Sequence, residues 1–316
     1  MCLVYRYHVF AILKTLTPRS YSAECVAPSL IFRTQNAGVP GSGQSNMDLA
    51  VGNVNNATAE VAAASWPLIR IAKVKYNPVY PSTPQNDTAF SQPWGAITPA
   101  NIGAFSGLCY YFGRRMFREL GGTTPVGLVQ QSVGGTYVES FMPAADMAAC
   151  NTAGRMPPGW RGAPPKNAGG KPYLPWGGSN VPAELFNTML SPLTSLQFKL
   201  AIYDQAEQNL ATNESAIYGC LQDQLVAAWR EIWGENLTFH AVQLPSLNMS
   251  EYTWIYIDWE TSLGQMRLSQ ASTSEHMRGT TMARPAAIAR LSLCGAHSFE
   301  RHRVILRHPV AAAREI

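Results

Sequence analysis

The order of apolar segments along the chain is the strongest constraint on its fold. Short apolar runs typical of buried strands alternate with longer segments in which apolar side chains recur every three to four residues, as in a helix. The predicted strands span residues 125–131, 198–203 and 237–244, and the predicted helices span residues 102–120 and 214–233. Strands that alternate with helices build a mostly parallel sheet with helices on both faces. We therefore expect an α/β fold that binds its ligands at the carboxyl ends of strands.

Two segments rich in proline, glycine and small polar residues interrupt this alternation. Residues 78–101 and residues 151–182 have the composition of loops, and both are predicted to lie on the surface. The second of these loops also carries aromatic side chains.

The positive charge of the chain lies at its two ends. The chain has 316 residues, 46% of them hydrophobic, and a formal net charge of +4, so it can form a sizeable core and is not intrinsically disordered. Residues 1–36 (four basic, one acidic) carry +3 and residues 267–316 (eight basic, three acidic) carry +5, whereas residues 37–266 (12 basic, 16 acidic) carry −4. Since no run of five basic residues occurs, we expect no nucleic-acid partner.

Features that bear on the cellular compartment favour secretion. No stretch of 18 apolar residues predicts a membrane span, and the N-terminus shows no clear signal peptide. Five Asn-x-Ser/Thr sequons occur, at Asn56, Asn86, Asn213, Asn236 and Asn248. The six cysteines show no metal-binding spacing, so no metal site is expected, and the sequence leaves open whether they form disulfides or stay free.

The segment Gly41-Ser-Gly-Gln-Ser-Asn-Met47 is the sharpest candidate for chemistry. Glycine lets the backbone turn tightly, so a serine just beyond it can be presented at the start of a helix. Backbone N–H groups there can stabilise an oxyanion that forms when the serine attacks an ester. Composition alone also allows a flexible Gly/Ser linker at this position.

This segment resembles the nucleophile block of the sialate O-acetylesterases, a family of the SGNH hydrolase superfamily. The segment Ser132-Val-Gly-Gly-Thr136 is similar to the second block of that family, and residues 202–209 (Ile-Tyr-Asp-Gln-Ala-Glu-Gln-Asn) are similar to its third block, with Ala206 where glycine is usual. The three segments come in the expected order, and the resemblance covers about residues 40–270.

The resemblance implies a three-layer, flavodoxin-like sandwich of the SGNH hydrolase type and a serine esterase activity. Carried over residue by residue, Ser45 is the nucleophile. The oxyanion would accept hydrogen bonds from the backbone of Ser45, from Gly134 or Gly135, and from the side chain of Gln205. Glu207 is expected to orient its neighbours rather than to act as an acid.

A serine nucleophile needs a base, and the family places its histidine late in the chain. This puts the base at His302, with Glu300 as the nearest acid, while His308 followed by Pro309 is the competing match. The usual Asp-x-x-His pattern is absent at these histidines.

We therefore divide the chain into an atypical N-terminal segment, residues 1–36, and an SGNH-type esterase domain, residues 37–316, of which residues 267–316 are divergent. A divergent end fits either a remodelled catalytic triad or an altered reading frame.

The substrate implied is an acetylated carbohydrate, with O-acetyl groups of sialic acid first, and no cofactor is expected. One alternative is a catalytically impaired relative that binds glycans through Trp160, Tyr173 or Trp176 in the second loop. The other is an esterase of the acetylxylan type, because fold and triad do not set the substrate. The sequence does not determine the oligomeric state.

Overall fold

The computed structural model describes residues 37–76, 83–151, 182–212, 214–245 and 259–283. Within these ranges the strands are β1 (Ala37–Gly43), β2 (Trp66–Val74), β3 (Phe90–Ile97), β4 (Val126–Ser132), β5 (Leu200–Asp204), β6 (Thr238–Val242) and β7 (Thr280–Ala283). The α-helices are α1 (Ser45–Asp48), α2 (Ala57–Ala62), α3 (Gly107–Glu119), α4 (Ala148–Asn151), α5 (Glu207–Ala211), α6 (Tyr218–Trp233) and α7 (Trp259–His276). Short 3-10 turns span Val51–Asn53, Val138–Phe141 and Ser191–Leu193, and a π-helical turn spans Phe186–Leu190.

The seven strands form one sheet in the order β3-β2-β4-β1-β5-β6-β7. Only the pairing of β2 with β3 is antiparallel. The chain builds one side of the sheet from β1 and then crosses to the other side at β5, so β1 lies at the topological switch point where open α/β sheets bind ligands. Gly43 at the end of β1 is in register with Ser132 and with Asp204, which brings the carboxyl ends of the three central strands level.

The two faces of the sheet are covered by separate apolar clusters. In β5, Leu200 and Ile202 join the cluster that contains α3, whereas Ala201 and Tyr203 join the cluster that contains α6. This alternation follows the two-residue period of a strand that is buried on both faces. The structure thus confirms the predicted α/β class with a mostly parallel sheet between two helical layers.

Two of the predicted elements have different limits in the structure. Helix α3 begins at Gly107 and not at residue 102, because the hydroxyl of Ser106 caps it by accepting a hydrogen bond from the Cys109 N–H at 3.1 Å. Helix α6 likewise begins four residues later than predicted, at Tyr218. The predicted end of α3 is confirmed, since Gly121 and Gly122 follow it with φ of 82° and 73°.

The prediction of a loop over residues 78–101 is wrong for its second half. Residues 90–97 form β3, the antiparallel strand at the edge of the sheet. An edge strand tolerates Pro93, and all but one of the residues of β3 are partly or fully exposed, so it lacks the apolar run by which buried strands are recognised. Of the other predicted loop, residues 152–181 lie outside the described residues.

The alternative of a flexible Gly/Ser linker at residues 41–43 is also wrong. All three residues lie buried in the central strand β1. A methyl group on Gly41 would come within 2.7 Å of the Cys109 sulfur, so glycine here allows α3 to pack closely on the sheet.

A disulfide joins Cys150 in α4 to Cys220 in α6, 70 residues apart in sequence. The third described cysteine, Cys109, is free and buried in the core. The structure thus answers the question that the sequence left open for these three cysteines. No helix of the described ranges is long and apolar enough to cross a membrane.

Replacing both Cys150 and Cys220 by alanine should lower the free energy of unfolding by about 2–4 kcal/mol, because the cross-link restricts the unfolded chain. Urea unfolding of wild type and of the double variant, each with and without dithiothreitol, measures this. Reductant should destabilise the wild type and leave the double variant unchanged. Equal destabilisation of both proteins by reductant would contradict the assignment.

Candidate active site

The central strand ends in a turn that presents Ser45 to solvent. Gly43 has a φ of 145°, and a Cβ added to it would lie 2.0 Å from the Asp204 carbonyl oxygen, so only glycine fits. The chain passes through Gln44 into the short helix α1, which Ser45 opens. Ser45 is exposed, while Gln44 and Met47 on either side are buried. The serine hydroxyl therefore lies on the rim of the sheet at its switch point.

The turn after β4 lies directly against this serine. The Val133 N–H donates to the Gly43 carbonyl oxygen at 3.1 Å, which ties the start of the turn to the end of β1. A Cβ on Gly134 would lie 3.7 Å from the Ser45 Cβ, and Gly135 adopts a left-handed φ of 67°. The structure thus brings the two glycines of the second motif beside the serine of the first.

Gln205 lies at the same edge of the sheet, but its side chain points into the protein. It is 1% exposed, and the two hydrogens of its Nε2 are shared among three acceptors. These are the Thr136 carbonyl oxygen at 2.9 Å, Asn209 Oδ1 at 2.8 Å and Gln44 Oε1 at 3.2 Å. Its Oε1 accepts a hydrogen bond from the Tyr218 hydroxyl at 2.8 Å. To donate a hydrogen bond to an oxyanion, the Gln205 amide would have to release one of these partners. Its predicted role in the oxyanion hole stays a prediction.

Glu207 holds the side chain that follows the serine. Its Oε1 accepts a hydrogen bond from the Asn46 amide, in line with the expected orienting role. Burial raises the pKa of Glu207 to about 7, against the effect of hydrogen bonds from the backbone and from Asn46. The α1 helix is thereby anchored to the start of α5.

The other side of α1 is anchored by Asp48. Its Oδ1 accepts hydrogen bonds from Lys73 Nζ at 3.0 Å, from Gln130 Nε2 at 2.8 Å and from the Ser132 hydroxyl at 2.9 Å. Sequence reasoning missed this network. The signal was the pair of glutamines inside the buried strand β4, because buried amides need partners.

Behind the turn, the carboxyl groups of Glu139 and Glu214 meet on one amide. Asn209 Nδ2 donates to Glu139 Oε2 at 3.0 Å and to Glu214 Oε2 at 2.6 Å. Burial raises the pKa of Glu139 to about 7, and burial together with the neighbouring Glu139 raises the pKa of Glu214 to about 9. Burial, with repulsion from Glu207, likewise holds the pKa of Asp204 well above its usual range. The site therefore rests on a layer of buried carboxyl groups.

The predicted base and acid cannot be placed, since His302, Glu300 and the alternative His308 lie outside the described residues, as do Trp160, Tyr173 and Trp176. Two histidines are described. His240 in β6 contacts the Thr281 hydroxyl in the neighbouring strand, and His276 pairs with Asp223 at 3.0 Å on the exposed side of α7. Over the described ranges, no group of three or more His, Cys, Asp or Glu residues is arranged to hold a metal ion.

Ser45 thus follows the central strand of a mostly parallel α/β sheet and is flanked by the glycine turn of the neighbouring strand. A carbohydrate acetylesterase from Xanthomonas citri shares this fold, with a TM-score of 0.64 and 24% sequence identity, over 80% of this chain and 50% of that one. No family model matches the chain.

The chain is similar in sequence to the sialate O-acetylesterases, which confirms the predicted resemblance. It is 31% identical to the human sialate O-acetylesterase over 206 residues, which are 63% of this chain and 35% of that protein. It is 27% identical to the rat sialate O-acetylesterase over 249 residues, 69% of this chain and 45% of that protein. The chain thus spans less than half the length of these curated relatives.

The close approach at Gly43 can be tested with Gly121 as a matched control, because both residues have a positive φ. Gly43→Ala should destabilise the protein by more than about 3 kcal/mol or prevent folding, since its methyl group meets backbone. Gly121→Ala meets nothing within 4 Å and should cost only the conformational penalty of about 1–2 kcal/mol. Thermal unfolding compares the two, and equal losses would show that the strand ends do not pack as described.

Proposed function

We propose that this chain is a serine esterase that removes O-acetyl groups from carbohydrates, with acetylated sialic acid as its leading substrate. The observation that carries the proposal is the exposed Ser45 at the switch point of the sheet, with Gly134 packed against it. The names of the relatives support the same chemistry, because they are sialate O-acetylesterases.

In the proposed reaction the Ser45 hydroxyl attacks the acetyl carbonyl carbon. The hydroxyl proton passes to a histidine, for which His302 with Glu300, or else His308, remains the candidate. The negative charge on the carbonyl oxygen is stabilised by the N–H groups of Ser45 and of Gly134 or Gly135, a kind of interaction worth about 3 kcal/mol per donor.

Collapse of this intermediate breaks the bond to the sugar oxygen, which takes the proton from the histidine and leaves as the alcohol. Water then attacks the acetyl-enzyme with the same base, acetate leaves, and the serine is regenerated. In this scheme Asn46 and Glu207 do not exchange protons with substrate. They hold α1 in place, as Asp48 does from the other side.

The esterase proposal predicts that Ser45→Ala abolishes hydrolysis of p-nitrophenyl acetate and release of acetate from O-acetylated sialic acid. The rate should fall by at least about a thousandfold, because the nucleophile is lost. Ser91→Ala is the control, since Ser91 is also exposed but lies on the edge strand β3.

A folded wild type that is no faster than Ser45→Ala would contradict the esterase. Saturable glycan binding by such a protein would favour the impaired, glycan-binding alternative. A higher kcat/KM on acetylated xylan than on acetylated sialic acid would support the serine esterase mechanism and make acetylated xylan the preferred substrate.

We propose further that the protein folds in the secretory pathway. The disulfide between Cys150 and Cys220 is typical of an oxidising compartment. The three sequon asparagines within the described ranges, Asn56, Asn86 and Asn236, are all exposed and so accessible to a glycan.

Secretion predicts that peptide N-glycosidase F increases the gel mobility of the protein made in animal cells. Asn86→Gln should remove one glycan, whereas Thr88→Ser keeps the sequon and should leave the mobility of the wild type. A protein without glycan and with both Cys150 and Cys220 reduced would contradict the secretory assignment.

A further inference from the structure

Asn209 uses every hydrogen-bonding capacity of its side chain, and all four partners lie behind the candidate site. Its Oδ1 accepts from the Val138 N–H at 3.1 Å and from Gln205 Nε2 at 2.8 Å. Its Nδ2 donates to the carboxyl groups of Glu139 and Glu214. The residue has no exposed surface, so no water can replace a lost partner without rearrangement.

These contacts act on the segment that follows Gly135. Val138 and Glu139 belong to the 3-10 turn a few residues beyond the glycines, and Gln205, itself held by Asn209, donates to the Thr136 carbonyl oxygen. The glycine turn is therefore fixed at its start by the bond from Val133 to Gly43 and at its end by Asn209.

We propose that Asn209 is a positioning residue, which aligns the turn at Gly134 and Gly135 with Ser45 through its bonds to Val138, Gln205 and the two glutamates. This inference rests on the proposed esterase function for its kinetic consequence, but its structural consequence can be measured without substrate.

The two glutamates make this alignment dependent on pH. The ionisable groups that interact with them are Tyr137 beside Glu139, Tyr203 on β5 and Tyr218 on α6. Asp204 and Glu207 interact in turn with Tyr218, and Glu184 precedes the π-helical turn that packs on the same segment. All of them are acids. In the described part of the chain, no positively charged group is among those that shift these two glutamates.

Two negative charges on one amide therefore repel each other without compensation. The folded-state pKa of each glutamate is raised above its ordinary value, so the folded protein binds a proton at each carboxyl group more tightly than the unfolded chain does. The stability that this proton binding adds is fully present below about pH 4.5. It is lost as the pH rises through about 7 for Glu139 and about 9 for Glu214. We therefore expect the turn to lose order, and the activity to fall, as the pH rises above neutrality. The histidine base, which must be neutral to accept the Ser45 proton, limits the activity in acid.

The segment beyond the turn has anchors that do not involve Asn209. The Trp229 Nε1 donates to the Phe141 carbonyl oxygen at 3.0 Å, and the Ala183 N–H donates to the Glu139 carbonyl oxygen at 2.9 Å. A change at Asn209 should therefore displace the turn rather than unfold the domain.

The test is Asn209→Asp, which keeps the shape of the side chain and replaces its donor by a carboxyl oxygen. At pH 8 we expect kcat on p-nitrophenyl acetate to fall by at least about tenfold with little change in KM, since a displaced oxyanion donor affects the transition state. Burial at this position beside Glu139 and Glu214 should raise the pKa of the introduced carboxyl group, so that at pH 5 it is protonated and donates again. At that pH, kcat should recover to within about threefold of wild type measured at the same pH.

Glu139→Gln serves as the second variant, because it keeps an acceptor for Asn209 and removes one charge. Its activity should persist to higher pH than that of the wild type. Asn101→Asp is the control, since the amide of Asn101 bonds only main-chain atoms, at Thr98 and Ala96, and this variant should show no recovery in acid.

Hydrogen exchange measured by mass spectrometry supplies the readout that needs no activity. After correction for intrinsic rates, the peptide that covers residues 133–141 should exchange faster in Asn209→Asp than in wild type at pH 8, and this difference should shrink at pH 5. If this exchange pattern is observed but no activity depends on Ser45, the esterase proposal is wrong and the positioning role of Asn209 stands. Unchanged exchange of this peptide in Asn209→Asp, or an unchanged alkaline limit in an active Glu139→Gln, would overturn the positioning role.

Discussion

The contact between Gly43 and the backbone of Asp204 is the constraint on which the rest of the site depends. The Gln44 N–H donates to the Asp204 carbonyl oxygen at 3.0 Å while the Val133 N–H donates to the Gly43 carbonyl oxygen. A glycine at this position lets three strand ends converge within hydrogen-bonding distance, because no side chain separates them. Ser45, the Gly134 turn and Gln205 each follow one of these ends, so their proximity is a consequence of this one close approach.

Buried side-chain amides hold the three converging strand ends in a fixed geometry. Gln44, Gln130, Gln205 and Asn209 are all buried, and each of them bonds at least two partners. Burial of an amide without partners is costly, so a network that satisfies each member also permits few alternative arrangements. The α1 helix is held on one side by Glu207 through Asn46 and on the other by Asp48, which leaves the exposed serine on a rigid support.

The sequence predicted those parts of the fold in which local pattern and burial agree. The strands β4 and β5 and the helix α6 are apolar at the right period, and Gly121 and Gly122 end α3 where expected. The edge strand β3 escaped prediction because its exposed face and Pro93 resemble a loop. The late start of α3 depended on the cap at Ser106, which the apolar pattern of residues 102–120 concealed.

Within the site, the resemblance to the sialate O-acetylesterases predicted that Ser45, the Gly134 turn and Gln205 meet. The strand pattern by itself placed the Gly134 turn and Gln205 at one edge, because strand ends in a parallel sheet share it. The partners of Gln205, the pairing of Cys150 with Cys220 and the carboxyl groups on Asn209 depend on contacts between distant parts of the chain, which no local pattern contains. The catalytic base stays a prediction at His302 or His308, with Glu300 as the candidate acid.

The identity of the nucleophile is the central claim, and trapping the covalent intermediate tests it most directly. The protein is mixed with p-nitrophenyl acetate, quenched in acid within the first turnovers, digested and mapped by mass spectrometry. We predict an acetyl group on the Ser45 hydroxyl that is absent from the corresponding peptide of the Ser45→Ala variant. Turnover with an acetyl group on another residue, or with Ser45 never modified under conditions that trap an acyl-enzyme, would contradict it.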